Sequence, residues 1–185
     1  MASDPTTHDA RRTLRRFISH APEATEALGE ALGRAAFAGL VLTLDGDLGA
    51  GKTCFVRGLA RGLEVEGPVT SPTFALMNEY EGRLPLLHCD AWMEGRERAF
   101  LADGGVERLG GGAVAVVEWG ERVADQLPRP HLWVQLAHAG GPEAERTRHC
   151  ALGIRGAGAE LEALIAALEP PPGLQELSEG PETPG

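Results

Sequence analysis

The stretch that most restricts this chain is Gly46-Asp47-Leu48-Gly49-Ala50-Gly51-Lys52-Thr53, an unbroken match to G-x-x-x-x-G-K-[ST]. Ahead of it runs LVLTLDG, a short apolar segment ended by glycine, as in a buried strand. Behind it TCFVRGLARGL places apolar residues at helical spacing and ends at glycines. Strand, glycine loop and helix follow one another, which is the context a phosphate-binding loop requires. Glycines permit backbone angles that turn successive amides inward as a nest for phosphate oxygens. A helix opening near Gly51 adds the positive end of its dipole.

Lys52 is the only lysine in a chain with sixteen arginines. A compact ammonium on a flexible stem reaches the β- and γ-phosphates, where a planar guanidinium is too wide for the crowded loop. Thr53 supplies a hydroxyl for Mg²⁺. The lysine count also excludes guanine-specific GTPases of the common type, whose N-K-x-D base-reading motif needs a second lysine. Gly46 to Thr53 are therefore the candidate phosphate-binding residues.

The composition describes one ordinary soluble domain: 185 residues, 43% hydrophobic and 24% charged. No apolar run is long enough for a membrane span or a signal peptide, so a cytoplasmic location is expected. Cys54, Cys89 and Cys150 are scattered and form no CxxC, which argues against a disulfide framework or a zinc site. A net charge of -10 argues against unaided gripping of a nucleic-acid backbone, which needs clustered cations. Arg11, Arg12, Arg15 and Arg16 make the start locally basic, read as a solvated arm over 1–16. The end, EPPPGLQELSEGPETPG, carries four glutamates and five prolines and reads as a disordered tail over 169–185.

Between them, 17–168 is expected to fold as one α/β domain, although TLRRFIS also reads as a short first strand. PEATEALGEALGRAAF opens with Pro22 at a favoured first-turn position and puts Ala24, Ala27, Leu28, Ala31, Leu32, Ala35 and Ala36 on one helical stripe. TFALMNEYEGRLPLLHCDAW reads as two strands around a turn at Glu81-Gly82-Arg83. A short helix and loops are expected over 94–112, and AVAVVEWG is a central strand. HLWVQLAHA and RTRHCALGI form a late antiparallel pair, and AELEALIAAL is a closing helix. The expected fold is a three-layer α/β sandwich of phosphate-loop NTPase type, its mixed sheet largely parallel with late antiparallel strands.

Hydrolysis needs a metal carboxylate and a group that orients water. Glu118 ends AVAVVE, where a carboxylate beside the loop serves Mg²⁺. Asp90 ends LPLLHCD and could aim or deprotonate water. His88 shares the face of Asp90 and reads as a packed histidine. Ser71-Pro72-Thr73 puts hydroxyls on a proline-stiffened loop in the position of a γ-phosphate switch, although by chemistry alone it reads as an ordinary turn. Trp92 and Trp119 read as packing residues.

GDLGAGKT, then VTSPTFALMNEYEGRLPLLHCDAW, then VVEWGER resembles the TsaE (formerly YjeE) family of small bacterial ATPases, over about residues 19–155. The resemblance implies a phosphate-loop α/β fold that binds ATP with Mg²⁺. It implies work with TsaD and TsaB in forming threonylcarbamoyladenosine beside the tRNA anticodon, with tRNA met only through the complex and no membrane involved. By the same likeness Asp47 to Thr53 hold the phosphates, Thr53 and Glu118 the metal, and Asp90 supports hydrolysis. Thr73 belongs to the switch, and Pro22 and Thr25 lie near the adenine. The family's usual H-F-D-L-Y-R is here His88-Cys89-Asp90-Ala91-Trp92-Met93, which lacks the final arginine; Cys54 stands where a second threonine is common and is harmless if it packs inward. The alternative is a small-molecule or nucleoside kinase, with Arg96 and Arg98 as lid arginines and Asp90 as base.

Overall fold

A computed structural model of the chain describes residues 11–72, 75–92, 95, 105–109, 111–140 and 146–177. In chain order the elements are β1 (Arg11–Ser19), α1 (Pro22–Ala35), β2 (Val41–Asp45), α2 (Lys52–Gly62), β3 (Met77–Tyr80), β4 (Leu86–Asp90) and α3 (Val106–Leu109). There follow β5 (Val114–Glu118), a 3-10 turn (Gly120–Arg122), β6 (His131–His138), β7 (Arg148–Arg155), α4 (Ala159–Ala167) and β8 (Leu174–Glu176). The strands make one sheet in the order β3-β4-β5-β2-β6-β7-β1-β8. β4, β5, β2 and β6 run parallel in its middle, and the outer strands pair antiparallel.

β2, β4 and β5 are buried at every position, which for parallel strands means cover on both faces. On one face Leu42, Leu44, Leu86, Val114 and Val116 pack with Leu28 and Leu32 of α1, Phe55 and Leu59 of α2, and Leu161 and Ile165 of α4. On the other, Val41, Leu87, Cys89, Ala115 and Val117 meet Leu109, Val123 and Leu127. The mixed α/β sheet with a parallel core is the expected one. The parallel register puts Leu44 opposite Glu118 and Glu118 opposite Asp90, so the carboxyl ends of β2, β5 and β4 finish level. Ligands of open α/β sheets gather at that end.

The closest packing is between α1 and α2, and it is made by glycine. A Cβ at Gly29 would stand 2.1 Å from the Phe55 carbonyl oxygen, and one at Gly58 1.8 Å from that of Glu26. Backbone therefore meets backbone, which no larger residue allows. The buried face of α1 is Ala24, Thr25, Leu28, Gly29, Leu32 and Gly33, so the apolar stripe expected through Ala27, Ala31 and Ala35 is turned toward the glycines. Periodicity counted methyl groups, whereas the contact is made where side chains are missing.

Both ends differ from expectation. Residues 11–16, read as a solvated arm, belong to β1 and pair with β7 from Arg11 opposite Arg155 onward. Within the stretch read as a disordered tail, β8 pairs with β1 through Phe17–Glu176, Ile18–Gln175 and Ser19–Leu174. The reason is Arg15, whose guanidinium holds both oxygens of Glu176 at 2.7 Å and donates to the Ile165 and Leu168 carbonyls at the end of α4. That pairing holds the Glu176 carboxyl below its usual value. Two segments whose charge looks solvated in isolation neutralise each other across the fold. Among the described residues no helix is long and apolar enough to cross a membrane.

Candidate nucleotide-phosphate site

β2 delivers the chain to Gly46 at φ 142°, where a Cβ would lie 2.1 Å from the Leu136 carbonyl oxygen, so only glycine fits. Gly51, at φ 102°, turns the backbone into α2. Leu48, Gly49, Gly51, Lys52 and Thr53 line a cleft of about 440 Å³ together with Cys54, Arg57, Ser71, Asp90, Trp92, Glu118 and Trp119. Gly46, Asp47 and Ala50 complete the loop behind them: the Lys52 ammonium donates to the Gly46 oxygen at 2.6 Å and the Asp47 oxygen at 2.9 Å. An ammonium has three donors, so one remains for a ligand.

A second cation holds the loop from outside. Arg148, at the start of β7, donates to the Ala50 oxygen at 3.0 Å and the Gly49 oxygen at 3.2 Å. Sequence reasoning missed it, since nothing local connects position 148 to the loop. Lys52 is buried, and its Nζ sits 3.8 Å from the centroid of the Trp119 ring. Burial pushes the ammonium below the usual lysine value, while Glu118, Asp90, Asp45 and Asp47 draw it back up.

Trp119 reaches Lys52 because it is left-handed, at φ 58° and ψ 31°, an uncommon state for a bulky residue. The bend is braced: the Trp119 amide donates to the Leu44 carbonyl at 2.9 Å, and the Glu121 amide donates to Asp45 Oδ1 at 2.9 Å. Trp92 lies against the same ring, with centroids 4.6 Å apart, and Arg122 stacks over Trp92 at 4.9 Å. The two indoles, read as packing residues, form one wall of the cleft.

The carboxylates stand where the strand ends put them. Glu118 is almost fully buried, and its Oε1 accepts from Thr53 Oγ1 at 3.3 Å and from His88 Nε2 at 2.8 Å. Its Oε2 takes no hydrogen bond among the described residues, although Glu118 lines the cleft. Thr53 spends its proton on Glu118 and keeps its oxygen lone pairs. A hydroxyl oxygen and one carboxylate oxygen in an open cleft suit a hard divalent cation that retains several waters. Asp90 Oδ1 accepts from the Trp92 amide at 2.9 Å, which aims the carboxyl along the cleft wall.

Of the other sequence-derived candidates, Ser71 lines the cleft. Pro22 is exposed at the first turn of α1, outside the lining residues; its carbonyl accepts from Cys54 Sγ at 3.3 Å. Thr25, buried and bonded to Ser19 Oγ at 2.8 Å, is next to Gly51. Cys54 does not pack inward; it is half-buried at the cleft. Thr73, Met93, Arg96 and Arg98 fall outside the described residues, so the kinase reading gains no support from its two arginines.

Comparison with known proteins gives one answer. The sequence model of the family described as threonylcarbamoyl adenosine biosynthesis protein TsaE matches residues 19–148. The tRNA threonylcarbamoyladenosine biosynthesis protein TsaE of Treponema pallidum is 43% identical over 121 residues, covering 65% of this chain and 90% of its own. The Bacillus subtilis protein of the same name is 42% identical over 128 residues, 68% of this chain and 79% of its own. The crystal structure of YdiB from Bacillus subtilis superposes with a TM-score of 0.69 at 33% identity, covering 86% of this chain and 95% of that one. With loop, strand-end carboxylates and matched length in agreement, the chain belongs to the TsaE family of threonylcarbamoyladenosine biosynthesis proteins.

Proposed function

We propose that this chain binds ATP with Mg²⁺ and hydrolyses it as the ATPase subunit of the cytoplasmic assembly that forms threonylcarbamoyladenosine at position 37 of tRNA. TsaD and TsaB are its partners and tRNA is met only through them, in line with a net charge of -10. The observation that supports this reading best is the convergence of Lys52, Thr53, Asp90 and Glu118 on one cleft at the carboxyl end of the parallel strands.

The residues divide the work by chemistry. The loop amides and the start of α2 bind phosphate oxygens, and the remaining Lys52 donor meets the terminal phosphates. Thr53 and Glu118 would hold the cation, which when bound supplies charge neutralisation across the β- and γ-phosphates. Asp90, braced by the Trp92 amide, aims a water at the terminal phosphorus or takes its proton. Trp92 and Trp119 exclude water from one side of that geometry.

The isolated chain is expected to hydrolyse ATP slowly and to be stimulated roughly tenfold or more by TsaD with TsaB. Steady-state phosphate release measured with and without the partners decides this. Full turnover alone, or indifference to the partners, would count against the assignment.

A further inference from the structure

His88 is completely buried in the middle of β4, with Nε2 2.8 Å from Glu118 Oε1 and Nδ1 without a hydrogen-bond partner among the described residues. A neutral imidazole facing the Glu118 carboxylate carries its hydrogen on Nε2, which leaves Nδ1 a bare acceptor in an apolar interior. An orphaned buried acceptor is destabilising, and a leucine here would remove that cost. A residue kept against stability in the interior points to a task at the one group it touches.

We propose that His88 is a positioning residue that sets which oxygen of Glu118 faces a divalent cation. This rests on the reading of Glu118 as a cation ligand. By donating to Oε1, the oxygen that Thr53 also bonds, the imidazole pins the carboxylate through that atom and leaves Oε2 of this cleft-lining residue without a hydrogen bond among the described residues. The register makes the arrangement rigid, because Val116 and Glu118 of β5 pair with His88 and Asp90 of β4. Without the Nε2 hydrogen the carboxylate could swing or offer both oxygens, and a six-coordinate cation that needs near-ideal octahedral geometry would be held less well.

The test uses the bond count of the side chains. Glutamine carries its amide nitrogen as many bonds from Cβ as the histidine Nε2, whereas asparagine reaches only the Nδ1 position. The probe is Mn²⁺ binding to the full chain saturated with ADP, followed by electron paramagnetic resonance of the free ion, with thermal unfolding in parallel. His88→Gln is expected to bind Mn²⁺ within about threefold of wild type, and His88→Asn about 10- to 100-fold more weakly. Should His88→Asn not fold, His88→Met, of similar length and with no donor, is measured in its place with the same expected loss. Unchanged Mn²⁺ binding in His88→Asn, alongside a loss in Glu118→Gln, would overturn the role of His88 and leave the cation reading standing. Equal weakening in His88→Gln and His88→Asn would reduce His88 to packing. Wild-type binding in Glu118→Gln would remove the cation reading itself and this inference with it.

Discussion

Gly58→Ala is the substitution whose outcome follows most directly from the packing, because two effects of opposite sign compete. In an isolated helix alanine is better than glycine by about 1 kcal/mol, so α2 alone would be strengthened. In this fold the new methyl carbon would lie 1.8 Å from the Glu26 carbonyl oxygen and 3.0 Å from the Glu30 amide nitrogen, both of them backbone atoms of α1. Ordinary contact begins near 3.4 Å, so the helices must separate by about 1.6 Å. A gap of 0.5–1 Å already forfeits a quarter to a half of the dispersion well, and Leu28, Leu32, Phe55 and Leu59 all pack within this layer. Overpacking costs about 1–3 kcal/mol and at times more, and here no flexible side chain can yield. A net loss of about 2–4 kcal/mol is expected, a fall in Tm of about 5–15 °C for a chain of this size. Because α2 begins at Lys52, the same displacement should weaken ADP binding. Thermal and urea unfolding give the first quantity and ADP titration the second. Gly140→Ala is the control: nothing lies within 4 Å of the added carbon, and a change within about 0.5 kcal/mol is expected. A Gly58→Ala protein as stable as wild type, or more so, would refute the argument that α1 and α2 touch through their backbones.

Four further outcomes are expected. Lys52→Ala should weaken ATP binding by about 100-fold or more, near 2.7 kcal/mol, with Tm little changed; calorimetric titration checks it, and unaltered affinity would refute the loop assignment. Arg83 donates to the Gly33, Arg34 and Ala36 carbonyls at the end of α1, so Arg83→Ala should cost about 1–2 kcal/mol in urea unfolding, and Arg83→Lys should recover only part because one ammonium cannot span those acceptors. Burial pushes the Cys89 and Cys150 thiols up to about 12 and raises the half-buried Cys54 as well, so at pH 8 iodoacetamide should label Cys54 slowly and the other two not at all in the folded chain. The same two raised values carry stability that is complete below pH 9 and is lost as pH climbs toward 12, because the unfolded thiols release their protons first.

What was legible in the chain was local. The loop from Gly46 to Thr53 announced its own strand and helix, Glu118 and Asp90 stood at the ends of apolar runs, and the hairpin turn at Glu81-Gly82-Arg83 separated β3 from β4. What was hidden depends on partners far away in sequence. Arg148 meets Gly49 and Ala50 only because β6, β7 and β1 order themselves beside β2. His88 looked like packing because its partner, Glu118, is thirty positions on and reaches it only through strand register. The glycines of α1 and α2 carry no apolar signal at all, and the Arg15–Glu176 pair joins the two segments that composition marked as solvated.

β8 also decides how the chain can be handled. Its three residues lie along the outer side of β1, next to a strand with four arginines. Trimming everything after Leu168 as dispensable would strip that side bare and release Arg15 from its carboxylate. The result would be a row of open amides and carbonyls ready to recruit another molecule, so a shortened version is expected to self-associate more readily than the intact chain.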